Sequence, residues 1–213
     1  MEHLPIIFFS HRVSLRPAAG DWGYLLFHNP DAFSILNYCD IEYSGSSQGS
    51  VYIIGAQENL TISNCNITNG GSHGIYLNDS SSTSSKPTIS NCTISDHAGD
   101  GIHCYTNYSD PVISDCTIQN NGGYPIRMQA DNIKNITGTN TLTGNVSNFI
   151  KVIGENISSG TWLNHGVPYN LNGNITVLND NDLTINAGNL LRFETNSNFT
   201  VNGQLQLNGT ESD

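Results

Sequence analysis

Charge is what this sequence lacks most: Asp, Glu, Lys and Arg together make up 12% of it, roughly half of what a soluble protein usually carries. Basic residues are the scarcer sign, 7 Lys and Arg against 18 Asp and Glu, for a formal net charge of -11. The basic residues stand singly, so binding to a phosphate backbone or to anionic lipid is excluded as a leading role, and no nucleic-acid partner is expected. No apolar run approaches the ~18 residues of a membrane span, so no membrane insertion is expected. The opening run Leu4–Phe9 is too short for the core of a signal peptide and has neither a basic flank before it nor a cleavage site after it. An exported form would have lost its signal or belonged to a longer parent. There is also no C-x-x-C pair, which argues against a zinc site.

Asn, Ser, Thr and Gly fill the places that charge leaves empty. Hydrophobic residues still reach 37% and recur periodically, so a folded chain is expected, read as a single domain over residues 1–213. Asn-x-Ser/Thr triplets begin, for example, at Asn59, Asn66, Asn91, Asn107, Asn135, Asn145, Asn156, Asn174, Asn198 and Asn208. These are the glycosylation candidates, although a chain so rich in Asn and Thr makes such triplets by composition alone.

An internal repeat decides the fold class. Leu60–Leu77 reads LTISNCNITNGGSHGIYL, Pro87–Cys104 reads PTISNCTISDHAGDGIHC, and Pro111–Met128 reads PVISDCTIQNNGGYPIRM. The copies align without a gap, and their starts lie 27 and 24 residues apart because of a Ser-rich insertion, Asn78–Lys86, read as a surface loop. A weaker copy occupies Ser34–Ile54. Each copy holds short alternating strands with a Gly-rich turn and buries only a thin apolar edge, so it needs neighbours stacked in parallel at about 4.8 Å. The expected inward columns are Ile62, Ile89 and Ile113; Cys39, Cys65, Cys92 and Cys116; and Ile67, Ile94 and Ile118, with Cys104 inward beside Leu77 and Met128. The cysteines are read as buried thiols, not bridges. Asn64, Asn91 and Asp115 fall at a bend, where an amide ladder is expected.

These copies resemble the right-handed parallel β-helix repeat proteins, the superfamily with pectate-lyase-like topology. The resemblance implies an all-β solenoid of roughly 7–9 coils. Leu4–Phe27, with PIIFFS and AGDWGYLLF, is similar to the coil that opens many bacterial and archaeal surface β-helices, and Leu183–Thr210 is similar to a coil that usually precedes it. In this chain the second closes and the first opens, as if one period of an array were cut at its seam. Self-association is the expected partnership, head to tail, with Glu211–Asp213 of one copy against Met1–Pro5 of the next; an excised fragment of a longer chain is the plainer account. Asp131–Leu171 is the least regular part.

Two groups of side chains are candidate sites. Tyr52, Tyr76, His103 and Arg127 take the same outward position on successive coils and would suit an extended polysaccharide, although ordinary cross-strand packing accounts for them too. Asp96, His97, Asp100 and His103 form the densest ionisable cluster. Asp96, Asp100, His103 and Arg127 are thus the candidates for acid, base or lyase chemistry, but no family motif carries over onto them and the residues favour a non-enzymatic role. His73, His97 and His165 are read as having no second metal ligand at useful spacing, and no metal site is expected; calcium is open only through the acidic residues a lyase would use. Thr137, Thr139, Thr141 and Thr143 lie along one stretch rather than in ranks across coils. The expected function is an extracellular or cell-surface structural solenoid that forms filaments; a carbohydrate-binding adhesin, or a polysaccharide lyase or hydrolase, is the alternative.

Overall fold

A computed structural model describes residues 4–9 and 16–210. The outermost residues of the expected seam, Met1–His3 and Glu211–Asp213, lie outside that range.

Each regular coil carries three short strands, because the repeat breaks its apolar alternation twice with a residue that tolerates left-handed backbone. In one coil the strands are Leu60–Ser63, Asn66–Thr68 and His73–Leu77; in the next, Thr88–Ser90, Thr93–Ser95 and Ile102–Cys104; then Val112–Ser114, Thr117–Gln119 and Ile126–Gln129. Equivalent strands pair in parallel and in register, making sheets of five, six and eight strands. The eight-stranded sheet takes one strand from each coil, from Leu25–His28 to Leu191–Phe193, so the solenoid has about eight turns.

The two breaks are periodic. Tyr38, Asn64, Asn91, Asp115 and Gly138 have positive φ at the first bend, and Tyr43, Asn69, Asp96, Asn120 and Gly144 at the second. Asn, Asp and Gly enter this region at least cost, which is why they recur there. Along the strands the inward columns are built of apolar residues. Ile62, Ile89, Ile113 and Ile136 stack on one face, and Ile41, Ile67, Ile94, Ile118 and Leu142 on another. Burying one isoleucine fully contributes about 1.5–3 kcal/mol, and these isoleucines are fully buried. All five cysteines are buried and unbridged, as expected.

Four expectations need correction. The amide ladder at the first bend is confined to Asn64 Nδ2 donating to Asn37 Oδ1 at 2.8 Å; the long ladder lies at the second bend. The Asn78–Lys86 insertion is a surface loop only at its tip. Its base is pinned by Asp79, 4% exposed, whose carboxylate accepts from Gly55 N–H and the Ser85 and Ser109 hydroxyls at 2.7, 2.8 and 2.8 Å. Thr141 does stand in a rank, with Thr117 and Thr93 of the preceding coils. Finally, Asn145 is buried with its amide bonded to Ile118 O, so this sequon is closed in the folded chain. Asn66, Asn91, Asn107, Asn156, Asn174, Asn198 and Asn208 are exposed, and Asn59 and Asn135 are half-buried.

The irregular stretch is filled rather than frayed. A 3-10 helix spans Ala130–Asn135, and further on Trp162 and Tyr169, both fully buried, pack with ring centroids 5.4 Å apart. No described helix is long and apolar enough to cross a membrane.

Candidate functional site

The outward row of the eight-stranded sheet is the one read from the repeat. Tyr52 pairs with Tyr76, Tyr76 with His103, and His103 with Arg127, and the row runs on through Lys151, Asn170 and Arg192. The tyrosines make it continuous: Tyr24 and Tyr52 are 5.4 Å apart, Tyr52 and Tyr76 5.4 Å, and Tyr76 and Tyr105 6.2 Å between centroids. Cations follow. Lys151 is buried, paired with Glu194 and set over the Tyr124 ring, and Arg192 lies over Phe149.

Beside this row, the turn entering the same sheet places His73, Asp100 and Tyr124 on successive coils. Glycine fixes the backbone there. A Cβ on Gly74 would lie 2.4 Å from Ile94 Cγ2, and one on Gly101 2.3 Å from Ile118 Cγ2 and 2.7 Å from Pro125 O. With no side chain at these positions the turn closes onto the core and the preceding residue is held at the surface of the sheet. His73, Asp100 and His103 thereby converge. His103 Nδ1 is 3.0 Å from Asp100 Oδ2 and 3.2 Å from His73 Nε2, and the three donor atoms lie within 4.8 Å of one another. Asp100 Oδ1 accepts Tyr124 N–H at 2.8 Å, and the Asp100 N–H donates to His73 Nδ1 at 2.8 Å. Tyr76 stacks on His73 and meets His103 edge-on, with centroids 5.5 and 5.3 Å away.

Burial lowers the His73 pKa to about 4, helped by His103 and Arg127 and opposed by Asp100. Burial pushes Asp100 upward, but the hydrogen bonds from His103 and Tyr124 N–H outweigh it, and its carboxyl lies below the ordinary carboxylate range. At neutral pH the group therefore presents a neutral His73 beside an ionised Asp100.

A family model described as a right handed beta helix region matches residues 27–162, more than half of the chain. The chain belongs to the right-handed β-helix family. No curated protein and no solved structure matches it.

Within this β-helix the ionisable cluster read from one turn is divided. Asp96 sits exposed at the second bend, and His97 turns inward, 2% exposed. His97 Nδ1 accepts Gly70 N–H at 3.1 Å and Nε2 faces Ile67 O at 2.9 Å, so the ring is the neutral Nε2–H tautomer. One coil on, Asn121 Oδ1 accepts His97 N–H at 3.1 Å and its Nδ2 donates to Ile94 O at 3.2 Å. Asn145 repeats both bonds, to Asn121 N–H at 3.0 Å and to Ile118 O at 3.1 Å. His97 is thus an amide substitute in a buried asparagine ladder, and burial lowers its pKa to about 4. It belongs to the scaffold. Its place in the cluster goes to His73, which does have potential donor groups beside it, contrary to the expectation from spacing; His165 Nε2 faces Ile136 O at 3.2 Å, well inside the scaffold. The signal was present in the repeat: aligning the copies sets His73 over Asp100 and places His97 in the column of Gly70 and Asn121. Calcium does not suit the site, because two of its three donors are nitrogen and calcium selects oxygen.

Proposed function

We propose that this β-helix is a structural solenoid of the cell exterior that extends by stacking end to end on further copies of itself. The observation that carries the reading is the state of the inward columns in the two end coils. At one end Ile6 is 64% exposed and Leu25 and Phe27 are only partly covered; at the other Phe193 is 53% exposed and Leu207 62%. Strand edges of this kind, apolar and unpaired among the described residues, are surfaces that another strand covers, whether of flanking chain or of another copy. The eight-stranded sheet has an edge strand in each end coil, which supports a register that sets Leu191 and Phe193 of one copy against Leu25 and Phe27 of the next. Low charge and seven exposed sequons support an exterior location. Light scattering of the concentrated chain and negative-stain microscopy test the proposal: mass increases with concentration and fibres form, and Phe27→Glu or Phe193→Glu abolishes both. A chain that stays monomeric at high concentration refutes it.

The aromatic row favours a second reading, recognition of an extended glycan. Tyrosine faces spaced along one flank and followed by Arg127 suit sugar rings and their hydroxyls. A glycan array with wild type and Tyr52→Ala/Tyr76→Ala tests it; signal that survives the double substitution, or no signal at all, removes it.

A further inference from the structure

We propose that His73, Asp100 and His103 form a binding site for a first-row divalent transition metal, with zinc the ion of best fit.

The three donors come from two adjacent coils and are held from behind. Asp100 spends Oδ1 on Tyr124 N–H, which leaves Oδ2 turned to the cluster. His73 is oriented by the Asp100 N–H and by the stacked Tyr76 ring, which leaves Nε2 turned to it. His103 is buried and contributes Nδ1. Zinc bonds of 2.0–2.1 Å in tetrahedral geometry place neighbouring donors about 3.3 Å apart. Two of the three separations, 3.2 Å between the imidazole nitrogens and 3.0 Å from His103 Nδ1 to Asp100 Oδ2, are close to that edge, and all three donors lie within 4.8 Å of one another.

Hydrogen bonding alone does not account for the arrangement. Because the Asp100 N–H donates to His73 Nδ1, the neutral His73 ring carries its proton on Nε2, aimed at His103 Nδ1. That same His103 nitrogen faces the Asp100 carboxylate. If it accepts from His73, it sets a lone pair against a carboxylate oxygen; if it donates to Asp100, two N–H groups face each other. The other nitrogen, His103 Nε2, is buried and has no partner among the described residues, so the ring has no second bond there that would fix either tautomer. A cation at the shared corner removes that conflict: with the His73 proton moved to Nδ1, at the expense of the bond from Asp100 N–H, and the His103 proton on Nε2, both rings stay neutral and His73 Nε2, His103 Nδ1 and Asp100 Oδ2 all turn lone pairs to the ion. Two imidazoles and one carboxylate leave the fourth zinc position open. His73, with 22% of its side chain exposed, marks the approach from solvent.

The test is isothermal titration of ZnCl2 into the chelator-treated full chain, with Co2+ absorption as a readout of coordination. One Zn2+ per chain and a visible tetrahedral cobalt band are expected. His73→Ala and Asp100→Asn weaken binding by more than about 100-fold, beyond the loss typical of outer-shell partners. His97→Asn, at a buried histidine outside the site, leaves binding unchanged. Asp100→Asn keeps an acceptor for Tyr124 N–H, so if His73→Ala fails to fold by circular dichroism the asparagine variant decides. No zinc heat at about 100 μM, a regime where millimolar affinity is already marginal, or equal binding by wild type and Asp100→Asn, overturns the proposal. None of these outcomes depends on whether the chain stacks.

Discussion

Replacing His97 separates a scaffold imidazole from a chemical one. In His97→Ala the backbone N–H to Asn121 survives, but Gly70 N–H and Ile67 O lose their only assigned side-chain partner inside a buried column. Leaving a buried backbone N–H unsatisfied costs about 1–3 kcal/mol, and the space vacated by the ring adds to that one group, Ile67 O lying in the strand pair with Ile94. A loss of about 2–4 kcal/mol is expected, a large share of the ~5–15 kcal/mol that holds a domain together. His97→Asn supplies the acceptor and donor that Asn121 supplies one coil on, so its loss stays within about 1 kcal/mol. The pH dependence gives a second signature. Burial holds the folded pKa at about 4 against 6.5, so the unfolded chain binds the extra proton between those values and stability rises with pH across that window. The contribution is complete above pH 6.5, is lost as pH falls to about 4, and amounts to about 3 kcal/mol. His73 adds a smaller term of the same sign, being partly exposed. Urea unfolding followed by circular dichroism at pH values across the window measures both effects. The amide-substitute account is refuted if His97→Ala unfolds at the wild-type midpoint, or if His97→Asn retains the full wild-type pH slope.

Three further substitutions, and Asn208→Ala as a surface control, probe the scaffold. Gly101→Ala drives a methyl into Ile118 Cγ2 and Pro125 O, and a loss of about 1–3 kcal/mol is expected in the same urea assay. Ile94→Ala opens a cavity at a fully buried position between Ile67 and Ile118 and costs about 2–5 kcal/mol. Asn145→Ala removes the bonds to Asn121 N–H and Ile118 O and lowers the melting temperature clearly, whereas Asn208→Ala, exposed, leaves it within error; equal effects would contradict the buried ladder.

The parts of this molecule legible in sequence are those that repeat at one position. The isoleucine columns, the thiol column and the Tyr52, Tyr76, His103, Arg127 row all follow from aligning the three copies with the weaker one before them, because parallel pairing in register converts alignment directly into contact. The site resisted because it joins different positions of neighbouring copies: His73 and His103 stand 30 residues apart, one coil of 27 plus 3. A spacing argument confined to one turn groups Asp96 and His97 with Asp100 and leaves His73 out. His97 misled by residue type, since an imidazole standing among amides looks like chemistry until its neighbours in the column are read. Past Thr143 the copies lose their common spacing, and the large side chains of Trp162 and Tyr169 take over the filling that smaller residues do earlier.

The buried ladder has a direction. At each step the later side chain caps a backbone N–H of the earlier coil and hands a proton back to that coil's carbonyl: His97 to Gly70 and Ile67, Asn121 to His97 and Ile94, Asn145 to Asn121 and Ile118. On a ribosome, which releases the chain from its amino end, the coils of Gly70, His97 and Asn121 each wait for the next coil before these interior groups are matched. Shortening the chain from the carboxyl end past Asn145 uncaps Asn121 N–H, while shortening it from the amino end leaves the surviving N–H groups of these three still capped.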